Sequence, residues 1–246
     1  MQMDAPEPPF RLRRAEAVLQ RRTSRLVLVM ERPWNDDNVQ AVLRTAESFG
    51  IQHVWTIKHP RARQRAHRSV TKGSHLWITR RVFPSIEECL AQVKSEGFEL
   101  WSTDLGDGAE AVTGPEVLRP FPKKVALVIG RELQGVAPEI LEASDRRLYL
   151  PMSGFTESLN LSVAAALLVQ RCFDADPSLV GAMPEEECTT LRRAWYDRLA
   201  GPNENKREYY AKLSANPPPA NETTRPSDDS RQPRLKKKYL GKRGWI

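Results

Sequence analysis

Residues 150–164 read LPMSGFTESLNLSVA, and this stretch decides the fold class. A strand-like segment ends near Leu150, a short polar loop follows, and a nearly all-apolar segment runs from Ser158 to Phe173. Such a long apolar segment predicts a helix that is covered on most of its sides. Ser158 and Asn160 are polar residues where that helix is expected to begin. They either cap the helix, as Ser and Asn often do, or belong to a functional site.

Short apolar runs alternate with amphipathic segments upstream of this stretch. Buried strands are predicted at residues 26–30, 53–57, 98–103, 125–129 and 147–150. Helices are predicted at residues 11–22, 36–50, 86–93 and 137–142, and a last one at 184–199. Asp36 or Asp37 is the expected cap of the second helix, and Gly50 its end. Strands that alternate with helices predict an α/β protein with a mainly parallel sheet and helices on both faces.

Residues 129–136 read IGRELQGV, a predicted strand that runs into a glycine-flanked turn. Gly130 and Gly135 let the backbone approach a ligand closely or adopt positive φ. Glu132 follows the strand at its carboxyl end, where open α/β sheets place their ligands. The alternative is a tight turn with a surface glutamate.

Residues 38–46 read NVQAVLRTA and lie on the helix after the first buried strand. Arg44 is placed among the residues of the inner stripe of that helix, together with Asn38 at its start. A guanidinium cannot lose its charge, so Arg44 is expected to need a strong acceptor there. The alternative is an internal ion pair, with Glu47 or another acid.

The net charge of +7 is gathered in three segments. Residues 11–25 carry six arginines against one glutamate, residues 58–81 carry eight basic residues and no acid, and residues 214–246 carry eight basic residues against three acids. This clustering favours a polyanion partner, because each neutralised phosphate releases counterions. The alternative is a solvated basic surface with a localisation-like tail.

Composition argues against several other classes of protein. No run approaches 18 apolar residues, and residues 1–10 do not resemble a secretory signal, so no membrane span is expected. Cys89, Cys172 and Cys188 have no CxxC spacing and are typical of reduced thiols in a cytoplasmic protein. The four histidines lack suitably spaced companions, so no metal site is expected.

Taken in order, the motifs at 38–46, 129–136 and 150–166 resemble the signature motifs of the SpoU-type, knotted (SPOUT) RNA ribose methyltransferases. The resemblance runs from about Arg11 to Leu199 and includes residues 73–77 in the basic stretch. Its closest form is similar to the tRNA guanosine 2′-O-methyltransferases of the TrmH family. Those enzymes share an arginine-rich first helix and a short C-terminal helix.

The resemblance implies a C-terminal trefoil knot, binding of S-adenosyl-L-methionine, and a homodimer with the active site near its interface. The implied catalytic residues are Arg44, Asn38, Glu132, Ser158 and Asn160. The implied cofactor contacts are Thr103, Gly130, Leu150 and Leu159. The implied RNA-binding residues are Arg11, Arg13, Arg14, Arg21, Arg22 and Arg171. The chain departs from the family at Asp174 and Asp176, where tRNA enzymes usually carry arginines, and Arg171 is the candidate substitute.

The function that the resemblance implies is methyl transfer to a ribose 2′-hydroxyl in tRNA, at the D-loop guanosine 18. An rRNA substrate and a non-catalytic RNA-binding role are the alternatives. Only about 25 residues precede the first strand, whereas rRNA relatives often carry an N-terminal RNA-binding domain, so tRNA is favoured. We expect a basic N-terminal helical extension at 1–24, a methyltransferase domain at 25–177, a C-terminal helical extension at 178–213 and a disordered basic tail at 214–246.

Overall fold

The computed structural model describes residues 8–58, 73–132 and 134–221. The chain divides into two compact units, one formed by Leu19–Trp195 and the other by Met1–Val18 with Tyr196–Ile246. Most of the basic stretch predicted at 58–81 and of the tail predicted at 214–246 lies outside the described residues.

Seven parallel strands form one sheet in the larger unit. They are β1 (Thr23–Glu31), β2 (Ile51–Ile57), β3 (Thr79–Phe83), β4 (Glu99–Thr103), β5 (Glu110–Ala111), β6 (Val125–Ile129) and β7 (Arg146–Tyr149). Their order across the sheet is β3-β2-β1-β6-β4-β7-β5. The five predicted strands are confirmed. Strand β3 was missed because it is an edge strand with four exposed positions, and β5 because it has only two residues.

Seven α-helices complete the described chain. They are α1 (Phe10–Leu19), α2 (Asp36–Phe49), α3 (Ile86–Ser95), α4 (Pro138–Ala143), α5 (Leu161–Ala175), α6 (Glu185–Ala200) and α7 (Glu204–Ala215). Helices α2 and α5 pack together, as do α3 and α4. Alternate residues of β1 belong to two separate cores: Leu28 lies in the core with α2 and α5, and Val29 in the core with α3 and α4. Helices therefore cover both faces of the sheet, and the predicted α/β class is confirmed.

The chain leaves β7 at the carboxyl ends of the strands and returns to α5, which packs on α2. Strand β6 lies between β1 and β4, so later segments are inserted among earlier ones. The trefoil knot that the resemblance implies stays a prediction.

Two predicted helix starts are corrected by the structure. The cap of α2 is Asn35, whose side chain accepts a hydrogen bond from the backbone N–H of Asp37. Asp36 and Asp37 instead occupy the first turn, where their charge favours the helix dipole. Helix α5 begins three residues later than expected and is capped by Asn160.

Helix α5 is less covered than its apolar sequence predicts. One side packs into the core, but Val163 and Leu167 on the other side are 45% and 46% exposed. One stripe of the helix is therefore left uncovered in a single copy of the chain. An apolar stripe of this kind marks a surface that another molecule can cover.

The smaller unit contains most of α1, the end of α6, and α7. The buried Tyr196 donates a hydrogen bond to the buried Glu16 at 2.8 Å, and its ring packs against Tyr210. Helix α7 was not predicted because few of its residues are apolar. Among the described residues, no helix has both the length and the apolar character needed to cross a membrane.

Candidate active site

Three polar side chains from separate motifs form one hydrogen-bonded cluster. Asn160 Nδ2 donates to Asn38 Oδ1 at 3.0 Å, and Asn38 Nδ2 donates to Glu132 Oε1 at 3.0 Å. Asn160 also caps α5 through its Oδ1, so its side chain has both of the roles that the sequence left open. The structure thus brings together the start of α2, the loop after β6 and the start of α5.

The carboxylate of Glu132 is the centre of this cluster. Besides Asn38, the backbone N–H groups of Trp34 and Asn35 donate to it, each at 3.4 Å. Burial acts to raise the pKa of Glu132, but the hydrogen bonds from Asn38 and from the backbone outweigh it and hold the pKa below its ordinary value. Glu132 is therefore ionised at neutral pH and fixed from several directions.

A cavity of about 450 Å³ opens beside Glu132 at the carboxyl ends of β4, β6 and β7. Its volume lies within the range of about 300–1,000 Å³ that small-molecule sites occupy. Its location agrees with the general rule for ligands of open α/β sheets. The predicted site residues that line it are Thr103, Gly130, Glu132, Leu150, Ser158 and Leu159.

A tightly folded loop forms one wall of the cavity. The N–H of Gly130 donates to Thr103 Oγ1 at 3.2 Å, and the backbones of Arg131 and Gly135 form a reciprocal pair of hydrogen bonds. A Cβ atom at Gly130 would lie 2.5 Å from the carbonyl carbon of Gly135 and 2.6 Å from the backbone nitrogen of Val136. Only glycine fits at position 130, because its neighbours there are backbone atoms.

Glu31 supports the same loop and was missed in the sequence. Its side chain is fully buried, accepts from the N–H of Ala137 at 2.8 Å, and lies 3.5 Å from Arg131 Nε. Burial raises the pKa of Glu31, although Ala137 and Arg131 act to lower it. A carboxylate that ends an otherwise apolar strand was the available signal. Glu31 thus links the end of β1 to Ala137, the residue at which α4 begins.

Arg44 lies outside the cavity and outside the cluster. Its side chain is exposed, and among the described residues it makes no hydrogen bond or ion pair. The alternative of a pair with Glu47 is wrong, because Glu47 pairs with Arg22 at 3.3 Å. The expected placement of Arg44 on the inner stripe is also wrong. In one copy of the chain, its guanidinium faces solvent on the helix that carries Asn38.

The implied RNA-binding arginines differ in exposure. Arg11, Arg14 and Arg21 are exposed, whereas Arg13 and Arg171 are half-buried. Within the described part of the chain, none of these three exposed guanidinium groups has a side-chain partner to lose when it contacts a phosphate.

Arg22 differs from these arginines, and its position shows that the prediction that it binds RNA is wrong. It is fully buried, donates to the carbonyl oxygen of Ile51 at 3.3 Å, pairs with Glu47 and lies 5.2 Å from the ring centroid of Trp195. Helix α1 ends at Leu19 and not at position 22, so Arg22 leads into β1 and turns inward. It therefore serves the fold.

The departure at Asp176 also has a structural explanation. Asp176 pairs with Arg25 at 2.8 Å, and Arg25 donates as well to the backbone carbonyls of Pro122 and Lys123. Burial opposes ionisation of Asp176, but hydrogen bonds from Ser178 and Arg25 lower its pKa. Asp176 therefore joins the end of α5 to Arg25 of β1, and an arginine at position 176 could not form this ion pair.

Residues 25–170 match the model of the SpoU rRNA Methylase family, and the chain belongs to this family. The predicted family is thus confirmed. The tRNA (guanosine(18)-2′-O)-methyltransferase of Aquifex aeolicus is 30% identical over 193 residues, which cover 75% of this chain and 88% of that one. The enzyme of the same name from Thermus thermophilus is 32% identical over 159 residues, 65% of this chain and 79% of that one. A crystal structure of the A. aeolicus TrmH/SpoU tRNA modifying enzyme superposes with a TM-score of 0.68 at 28% identity, covering 77% and 96% of the two chains.

Proposed function

We propose that this protein transfers the methyl group of S-adenosyl-L-methionine to a ribose 2′-hydroxyl of tRNA, at the D-loop guanosine 18. The observation that carries the proposal is the hydrogen-bonded cluster of Asn38, Glu132 and Asn160 beside the cavity. Each of its members comes from a different motif of the family. The substrate is inferred from the named relatives, which are 30–32% identical to this chain.

The cavity fits S-adenosyl-L-methionine in size and chemistry. Leu150 and Leu159 supply apolar walls suited to an adenine ring, and Thr103 and Glu132 supply oxygen atoms. The ionised Glu132 favours a cationic ligand such as a sulfonium. When bound, the cofactor supplies an electrophilic methyl group, so the protein has to orient the acceptor and manage one proton.

Within this mechanism, Arg44 is assigned the stabilisation of the negative charge that develops on the ribose oxygen. A guanidinium keeps its proton at working pH, so it is a poor general base. The Arg44 guanidinium is exposed and has no partner in the described ranges, so it is available to an RNA phosphate and to the reacting oxygen. The proton leaves through phosphate or water, and Asn38 and Asn160 orient the groups around the site.

A homodimer is part of the proposal. Val163 and Leu167 form an exposed apolar stripe on α5, the helix whose first residues close the cavity. A second copy that covers this stripe would place the dimer interface next to the active site. Such a copy could also bring further groups near Arg44.

The exposed arginines Arg11, Arg14 and Arg21, with Arg13 and Arg171, are proposed to neutralise phosphates of the tRNA. Because that contribution is electrostatic, raising the salt concentration should weaken binding steeply. The extensions at 1–24 and 178–213 belong to this RNA-binding part in the proposal, and the enzyme is placed in the cytoplasm with its substrate.

A tritium-transfer assay tests the proposed function. Labelled S-adenosyl-L-methionine is incubated with bulk tRNA that lacks modifications, and in parallel with unmodified rRNA. Label in the tRNA supports the proposal. Label in the rRNA alone would favour the second candidate, to which the description of the matching family points. If neither RNA is labelled, the result would favour an RNA-binding protein without methyltransferase activity.

Gly130→Ala is expected to weaken binding of S-adenosyl-L-methionine about 5- to 150-fold. The added methyl group would overlap the backbone at Gly135, so the cavity wall has to move, at a cost of about 1–3 kcal/mol. Isothermal titration calorimetry measures the affinity. Gly154→Ala is the matched control, because a Cβ there meets only Thr156 Oγ1 at 3.8 Å. An unchanged affinity in Gly130→Ala would contradict the assigned cofactor site.

The pH dependence of cofactor binding should reflect Glu132. Its pKa is lowered in the folded protein, so its stabilising hydrogen bonds are fully present above the ordinary carboxyl pKa and are lost as pH falls through the lowered value. Affinity should therefore show no loss from Glu132 between pH 6 and 8, and a loss only below the ordinary pKa of a glutamate carboxyl group. Glu132→Gln should remove this loss of affinity at low pH. Glu142→Gln, which changes an exposed carboxylate, should keep it. If Glu132→Gln still loses affinity at low pH, another group causes that loss.

A further inference from the structure

Trp34 is exposed to 78% and lies at the edge of the candidate active site. Its backbone N–H donates to Glu132 Oε2, and that of the next residue, Asn35, donates to Glu132 Oε1. The backbone of Trp34 is thus hydrogen-bonded to the carboxylate that lines the cavity. Tryptophan is enriched at binding interfaces, because its ring offers a large apolar face and its N–H a polar group.

The backbone that carries Trp34 is held in one conformation. Arg32 has a φ of +44°, a left-handed value that non-glycine residues adopt only when the surrounding structure imposes it. The ring of Pro33 fixes the φ of Pro33 itself, and the side chain of Asn35 caps α2. Such strain concentrates at functional sites, and a fixed backbone lowers the entropic cost of binding through the attached side chain.

The charges around Trp34 indicate which part of an RNA it suits. Asp36 and Asp37 lie two and three residues after Trp34 and are both exposed, so this side of the loop carries acidic side chains. The face of a nucleobase carries no net charge and stacks well on an indole ring. In single-stranded RNA loops, bases turned out of the stack commonly pack on aromatic side chains.

From these observations we infer that Trp34 stacks on the base of the nucleotide whose ribose is methylated. It acts as a positioning residue: the base lies on the indole, and the ribose lies toward Asn38, Glu132 and Asn160. The inference rests on the proposed function, because it takes RNA as the substrate. It adds a contact that fixes the target nucleotide from its base side, whereas the arginines hold the phosphates.

The test compares Trp34→Ala, Trp34→Phe and Trp34→Leu by equilibrium binding to a tRNA transcript. A second transcript lacks the base at the nucleotide that the wild type methylates, or at guanosine 18 if it methylates none. Trp34→Ala should weaken binding to the intact transcript about 10- to 100-fold, as expected for loss of one base stack. Trp34→Phe should stay within about threefold of wild type, and Trp34→Leu should resemble Trp34→Ala. All variants should bind the transcript without the base equally.

Val82→Ala serves as the control, because Val82 is exposed on the edge strand β3 and lies outside the proposed binding residues. Stacking is overturned if Trp34→Ala loses as much affinity for the transcript without the base, or if Trp34→Leu restores binding as well as Trp34→Phe. It is also overturned if sedimentation shows that Trp34→Ala breaks a dimer, which would make the residue a protein contact. If Trp34 contributes to binding only when the base is present, but the wild type transfers no methyl group, the proposed function is refuted and the stacking inference is not.

Discussion

Replacing Arg44 by Ala is expected to abolish methyl transfer and to leave the fold and cofactor binding intact. The side chain is exposed and has no partner among the described residues, so its removal should change the free energy of unfolding by less than about 0.5 kcal/mol. Loss of a group that stabilises developing negative charge commonly costs about 10²–10³ in kcat. This combination separates a catalytic role from a structural one.

Single-turnover methyl transfer to tRNA measures the effect on the chemical step. Lys94→Ala is the control, because it removes an exposed cation from α3 on the other face of the sheet. Arg44→Lys should recover only part of the rate, since an ammonium lacks the planar pair of donors. If Arg44→Ala kept more than about a tenth of kcat, a loss below roughly 1.4 kcal/mol, the assigned role would be wrong.

Arg22→Ala, unlike Arg44→Ala, is expected to cause a large loss of folding stability. The mutation removes a fully buried side chain, leaves the carboxylate of Glu47 without its partner and opens a space beside Trp195. Burial lowers the pKa of Arg22, whereas Glu47 raises it, so the pair compensates a desolvated charge. Loss of one partner of such a pair should cost about 2–4 kcal/mol, with the partial exposure of Glu47 keeping the value below that of a fully buried pair.

Thermal unfolding should show this as a fall in Tm of roughly 5–15 °C for a chain of this size. Arg21→Ala is the matched control, because the adjacent arginine is exposed. It should unfold at the wild-type temperature but bind tRNA more weakly and with a smaller salt dependence. Equal Tm values for the two variants would contradict the assignment of Arg22 to the core.

The parts of the fold that follow from local periodicity could be predicted from the sequence. Strand β1 is apolar at consecutive positions because each of its faces meets a different core, and this pattern is visible directly. Strand β3 has no such pattern, because an edge strand buries little and its exposed positions carry Thr and Arg. Helix α7 was missed for the same reason.

The residues around the cavity were predicted through the family motifs, and local pattern alone left each of them ambiguous. Asn160 illustrates why: its side chain caps α5 and also donates to Asn38, which is 122 positions away in the sequence. Only the fold reveals the second contact. Glu31 was missed because its partner, the N–H of Ala137, belongs to a backbone whose position no sequence motif specifies.

Arg22 shows where composition misleads. Counted with its neighbours, it belongs to a basic segment that suits RNA. Its burial depends on where α1 ends, and a shift of three residues in that end decides whether the side chain meets solvent or Glu47. Helix ends are fixed by tertiary contacts as much as by propensity.

One measurement tests the central claim most directly. A tRNA transcript and the same transcript with 2′-deoxyguanosine at position 18 are each incubated with the protein and S-adenosyl-L-methionine labelled in its methyl group. The account predicts one methyl group per transcript on the first RNA and none on the second. Equal labelling of both RNAs would contradict it, because the acceptor could not then be that 2′-hydroxyl.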